Sequence, residues 1–109
     1  MNTNIKATNM ELTSAINDYV NKRLDGIKKF IKKEDKGMIY VEVGKTTNHH
    51  KQGDVFRAEF NMEISGTKFY AFSEKEDLYA AIDDARSEIV RKITSNKDKK
   101  QTLFKRGAT

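Results

Sequence analysis

The chain of 109 residues has no cysteine, no proline and only six glycines. Without cysteine it has no disulfide framework, no thiolate metal site and no thiol nucleophile. Without proline, and with so little glycine, nothing in it reads as a long flexible linker to a second domain. One domain is therefore expected over 1–100, with 101–109 as a mobile basic tail. No apolar run approaches the ~20 residues that a membrane span needs. The opening MNTNIKATNM lacks the basic-then-apolar pattern of an export signal, so export is not expected, and the lack of a transit-like character favours a bacterial cytoplasm.

What the chain does have is charge, and the charge is segregated. The net value is +5, from 21 Lys and Arg against 16 Asp and Glu. By segment it is −1 over 1–21, +4 over 22–36, −4 over 37–85 and +6 over 86–109. Two basic blocks thus flank an acidic middle, a distribution that points to a polyanionic partner more strongly than the total does.

Periodicity assigns the elements. Residues 3–7 alternate around Ile5 and read as a short strand. Thr13 or Ser14 offers a helix cap, and Ile16, Val20, Leu24, Ile27 and Ile31 then recur every three or four residues, predicting a helix near 14–33. Strands are expected at 38–45, where Ile39, Val41 and Val43 alternate with polar residues, and at 56–64 on the alternation of Phe56, Ala58, Phe60, Met62 and Ile64. Ser65-Gly66 suits a tight hairpin turn into a fourth strand at about 67–72. Ser73 and Glu76 have the spacing of a capping box, ahead of a helix from about 75 to 96 or beyond that is striped by Leu78, Ile82, Ala85, Ile89 and Ile93. The predicted fold is α+β: β-α-β-β-β-α, a four-stranded, mainly antiparallel sheet with two helices on one face. Side by side, the helices would merge both basic blocks into one positive surface.

The heptapeptide Asp77-Leu78-Tyr79-Ala80-Ala81-Ile82-Asp83 resembles the signature opening the last helix of the ribosome hibernation promoting factor family, which includes the ribosome-associated inhibitor A proteins. The element order, Thr13 before the first helix and the lysine runs of the last helix agree with that resemblance over about 3–100. It implies a fold similar to double-stranded RNA-binding domains and a partner in the small ribosomal subunit and its rRNA. There the domain would cover the decoding region, block mRNA and tRNA, and silence idle ribosomes in stress or stationary phase. A second hibernation factor in ribosome dimers is an implied partner, and the chain's length matches the short form without a dimerisation domain. Arg23, Lys29, Lys45, Arg91, Lys97 and Lys99 match basic positions of the family. Gly26, Glu88 and Ser95 depart from it, standing where basic residues are usual, with Lys28, Arg86 and Lys92 close by. The expected RNA-binding set is completed by Lys22 and Lys100.

Other chemistries have little support. His49-His50 lacks a third spaced ligand, so a loop is a better reading than a metal site. Asp83 and Asp84 are consecutive on a helix and point about 100° apart, so they cannot act on one atom as an acid-base pair. Tyr79, Ala81, Ile82 and Asp83 read as structural, packing the helix start on the sheet. Phe56 and Phe60 read as core, while Tyr40, Tyr70 and Phe72 stay open between core and a base-stacking platform. The expectation is a non-enzymatic translation inhibitor with no cofactor, metal or small-molecule substrate. The alternative is a general double-stranded RNA binder.

Overall fold

The computed structural model describes residues 2–32, 35–46 and 53–107, with side chains described as far as Asn96. His49 and His50 lie outside the described residues. The elements run β1 (Asn2–Thr8), α1 (Ser14–Lys28), β2 (Gly37–Lys45), β3 (Phe56–Ile64), β4 (Thr67–Lys75) and α2 (Leu78–Gly107). The sheet order is β1-β2-β3-β4, with β1 parallel to β2 and the other neighbours antiparallel.

Alternation along the strands decides which face is buried. Ile39, Val41 and Val43 of β2, Ala58, Phe60 and Met62 of β3, and Ala71 of β4 join one core with Ile16, Val20, Leu24 and Ile27 of α1. Leu78, Ala81, Ile82, Ala85, Ile89 and Ile93 of α2 complete it, so both helices cover the same face of the sheet. Register holds the core in rows: Ile5 pairs with Val41, Val41 with Phe60 and Phe60 with Ala71. Phe56 packs against the edge of this cluster.

The elements end where local chemistry stops them. Thr13 caps α1, its hydroxyl oxygen accepting from the Ile16 amide at 3.2 Å. The helix closes at Lys28, short of the expected 33, and Ile31 reaches the core from beyond its end. Ser65 and Gly66 both have positive φ, 48° and 85°, as a two-residue type I′ hairpin requires. The expected capping box at Ser73 does not form. β4 runs on to Lys75, pairing Ala58 with Ser73 and Phe56 with Lys75, so Ser73 is a strand residue facing inward. Asp77 caps α2 instead, its carboxylate accepting from the Ala80 amide at 3.2 Å. α2 then continues to Gly107, through 101–107 where the periodicity is not sustained.

The opposite sheet face carries Met38, Tyr40, Tyr70 and Phe72, all exposed. Acids interleave them: Glu42 is paired with Glu59, Glu63 with Lys68, and Arg57 with Glu74. The guanidinium of Arg57 lies 4.1 Å from the centre of the Phe72 ring and bonds Glu59 and Glu74 at 2.5 and 2.7 Å. The hydrogen bond to Glu59 is the main cause that holds Arg57 protonated well above its ordinary range. With one aromatic face taken by Arg57 and acids between the others, this surface is poorly suited to stack the bases of a polyanion.

Candidate nucleic-acid interface

The topology sets how the two basic blocks meet. β4 is antiparallel to β3, which is antiparallel to β2, so β4 points the same way as β1. Helix α1 returns from the end of β1 and α2 from the end of β4, and the two lie parallel. Their contacts climb in step: Tyr19 meets Tyr79 edge-on at 4.7 Å, Arg23 meets Asp83, and Gly26 meets Arg86. Parallel helices put both C-terminal halves, and so both basic blocks, at one end of the domain. Cations there also suit the negative ends of the two helix dipoles.

A polar network fastens the seam between the helices. The Tyr19 hydroxyl bonds both oxygens of the Asp83 carboxylate, at 2.8 and 2.7 Å. Arg23 donates from Nη2 to the Tyr19 hydroxyl at 2.9 Å, and its Nε stands 2.8 Å from Asp83 Oδ1. That last contact is an ion pair off the line of a hydrogen bond, since the Nε–H has no well-aligned acceptor. The bond to Tyr19 is the leading cause that raises Arg23 above its ordinary pKa. Asp84 turns the other way and accepts from the buried Ser73 hydroxyl at 2.6 Å. The adjacent acids thus serve opposite sides of α2, as their 100° separation requires.

The predicted basic residues separate into three groups. Lys22, Arg23, Lys29 and Arg86 gather along the seam: Lys22 and Lys29 are exposed and stand one turn either side of Gly26, on which the Arg86 guanidinium rests. Lys22, Lys28 and Lys29 have no ion pair among the described residues. Lys28, Arg91 and Lys92 lie at the same end but turn elsewhere. Lys28 is rotated by about 100° from Lys29, towards the side of α1 away from α2. Lys92 donates to the Tyr70 carbonyl at the outer strand, 2.6 Å away, and Arg91 pairs with Glu88 one turn back. That pair raises Arg91 and lowers Glu88 from their ordinary ranges, in each case chiefly through the hydrogen bond between them.

Lys45 stands apart. It closes β2 at the other end of the domain, beside the start of α1, and pairs with Asp54 at 3.0 Å. The length of α1, about 22 Å at 1.5 Å per residue, separates that end from Lys28 and Lys29. The backbone of α2 carries Lys97, Lys99 and Lys100, whose side chains lie outside the described residues.

Sequence periodicity missed the seam. Tyr19, Gly26 and the pairing of Arg86 with Gly26 join residues distant in the chain, and no local spacing marks them. Tyr79, 38% exposed, and Asp83 belong to this seam, whereas Ala81 and Ile82 are fully buried, in keeping with their structural reading. Among the described residues no group of three His, Cys, Asp or Glu side chains is placed to hold a metal ion. None of their helices is long and apolar enough to cross a membrane.

Comparison with known proteins places this arrangement. The sequence profile of the family described as Sigma 54 modulation protein / S30EA ribosomal protein matches residues 3–101. The chain is 30% identical over 99 residues to a ribosome hibernation promoting factor of Klebsiella oxytoca, covering 91% of this chain and 96% of that one. It is 28% identical over 108 residues to the factor of the same name from Pseudomonas putida, covering 99% and 98%. Among solved structures, the N-terminal domain of Thermus thermophilus Protein Y superposes with a TM-score of 0.71 at 29% identity, over 85% of this chain and 96% of that one. A ribosomal subunit interface protein from Coxiella burnetii gives the same TM-score at 16% identity, over 90% and 99%, a likeness of fold.

Proposed function

The chain belongs to the Sigma 54 modulation protein / S30EA ribosomal protein family, and we propose that it is a ribosome hibernation factor. It binds the rRNA of the small ribosomal subunit at the decoding region and excludes mRNA and tRNA in dormancy or stress. The observation that carries this reading is the parallel packing of α1 and α2, which brings both basic blocks to one end of the domain.

The mechanism is one of occupancy and needs no bond made or broken. Each Lys or Arg that replaces a condensed counterion on an RNA phosphate releases that ion, and the affinity gained falls as salt rises. With about 6–10 such contacts, affinity would drop roughly 10³–10⁵-fold between 50 and 200 mM salt by the double-stranded DNA rule. Recognition is of backbone and shape, because the major groove of A-form RNA is too deep and narrow for side chains to read. Inhibition follows because one volume cannot hold both this domain and tRNA. The acidic, aromatic sheet face is turned away from the RNA. The setting is the bacterial cytoplasm, and a second hibernation factor is the natural companion if dimeric ribosomes form.

The test is competition. Labelled tRNA bound to programmed small subunits should be displaced as the protein is added, with an inhibition constant that weakens as salt is raised. Full tRNA occupancy at saturating protein would contradict the proposal.

A further inference from the structure

Gly26 lies in the last turn of α1, where glycine is a poor helix residue relative to alanine. Its place is explained by what rests on it. A Cβ built at position 26 would meet Arg86 Nη2 at 2.6 Å, with Arg86 Cζ and Nε at 3.5 and 3.6 Å. The Nη2 end of the Arg86 guanidinium therefore fills a notch of α1 that only a missing side chain leaves open. Arg86 Nε is buried there with no hydrogen-bond partner among the described residues. Asp83, one turn earlier on α2, is engaged by Tyr19 and Arg23 instead.

Two local departures from stability thus coincide at one spot: a glycine inside a helix and an unsatisfied buried N–H. Such departures concentrate at functional positions, where the rest of the fold compensates them. A planar guanidinium, fixed across a seam and left without an anion of its own, has the geometry to take a phosphate through its outer N–H groups. Lys22, Arg23 and Lys29 lie within one turn of the same glycine and add to the field.

We propose that Gly26 is a seat for Arg86, and that the seated guanidinium binds one backbone phosphate of the RNA partner. This rests on the proposed function and assigns the residue that fixes the geometry of its binding surface. Fixing the side chain in advance removes the loss of rotamer freedom that a free lysine would suffer on binding.

The experiment is binding of purified bacterial small ribosomal subunits at 50 and 200 mM salt, for wild type, Arg86→Met, Arg86→Lys and Gly26→Ala. Lys68→Ala on the far sheet face serves as a control for charge alone. Gly26→Ala removes no charge but displaces Arg86. It should bind more weakly than wild type, and the loss between the two salts should shrink roughly threefold, the share of one phosphate contact. Arg86→Met and Arg86→Lys should do the same, while the melting temperature of Gly26→Ala equals or exceeds that of wild type. Wild-type affinity and salt dependence in folded Gly26→Ala would overturn the seat. If that variant does not fold, wild-type binding by Arg86→Lys overturns it, and weakened binding supports it. No binding by the wild type would remove the proposed function itself, and the seat with it.

Discussion

The hydroxyl of Tyr19 bonds the two oxygens of the Asp83 carboxylate at 2.8 and 2.7 Å, tying the middle of α1 to the first turns of α2. The two residues are far apart in sequence, so the bond forms only once the sheet has brought the helices together. It also gives Asp83, an acid beside a basic surface, an internal use: its charge is spent on Tyr19 and Arg23.

Tyr19→Phe should therefore destabilise the domain by about 1–2 kcal/mol, the loss of a hydrogen bond to a charged acceptor. Urea denaturation measures it. A double-mutant cycle with Asp83→Ala should give a coupling of roughly 0.5 kcal/mol or more, since both changes remove the same contact. Strict additivity would show that the bond contributes nothing in solution.

Ser73 is 6% exposed and donates to Asp84 at 2.6 Å. Ser73→Ala should cost about 1–2 kcal/mol by chemical denaturation, and binding to ribosomes should stay unchanged because Ser73 and Asp84 are on the side of α2 away from the seam. A residue acting as a helix cap would give a comparable loss, but Asp77→Ala would then be silent. Here Asp77→Ala should itself cost about 1 kcal/mol.

Glu88 is held below the ordinary glutamate range, mainly by its hydrogen bond from Arg91. A depressed folded value means that the pair's contribution is complete above the unfolded pKa and is lost as pH falls through the folded one. Carbon-detected NMR titration should place the Glu88 midpoint below the usual range, and Arg91→Met should return it upward. Glu88 also occupies Arg91 beside the basic end. Glu88→Gln should tighten ribosome binding by about twofold to fivefold, the strength of an exposed ion pair.

Charge reversal should separate the two ends of the domain. Lys22→Glu or Lys29→Glu puts an acid beside the seam and should lower ribosome affinity more than tenfold at 50 mM salt, with little change in melting temperature. Lys45→Glu, at the other end and already paired with Asp54, should have a much smaller effect. Filter binding at two salt concentrations distinguishes these outcomes.

How far the sequence could be read followed from the range of each signal. The α1 stripe of Ile16, Val20, Leu24 and Ile27 and the β3 alternation around Phe60 repeat at the period of their own element, and both became core. Ile31 kept the period beyond the helix end, because a hydrophobic residue can reach the core from a turn as well as from a helix. The spacing of Ser73 and Glu76 pointed to a cap, and the β3 pairing decided for the strand instead by continuing through Arg57 with Glu74 and Phe56 with Lys75. The cations were visible as blocks, but their directions were not. Lys92 turns to a strand carbonyl and Arg91 to Glu88, while Arg86 takes the notch at Gly26. Those choices belong to the meeting of two helices, and neither helix alone carries them.

The most direct measurement of the central claim is sedimentation of the protein with ribosomes through sucrose gradients at 50 and 200 mM salt. The account predicts that at low salt the protein travels with the small subunit and with whole ribosomes, that higher salt releases much of it, and that an excess of an arbitrary RNA duplex does not compete it away. Protein left at the top of the low-salt gradient would contradict the account, and full competition by the duplex would make it a general RNA binder.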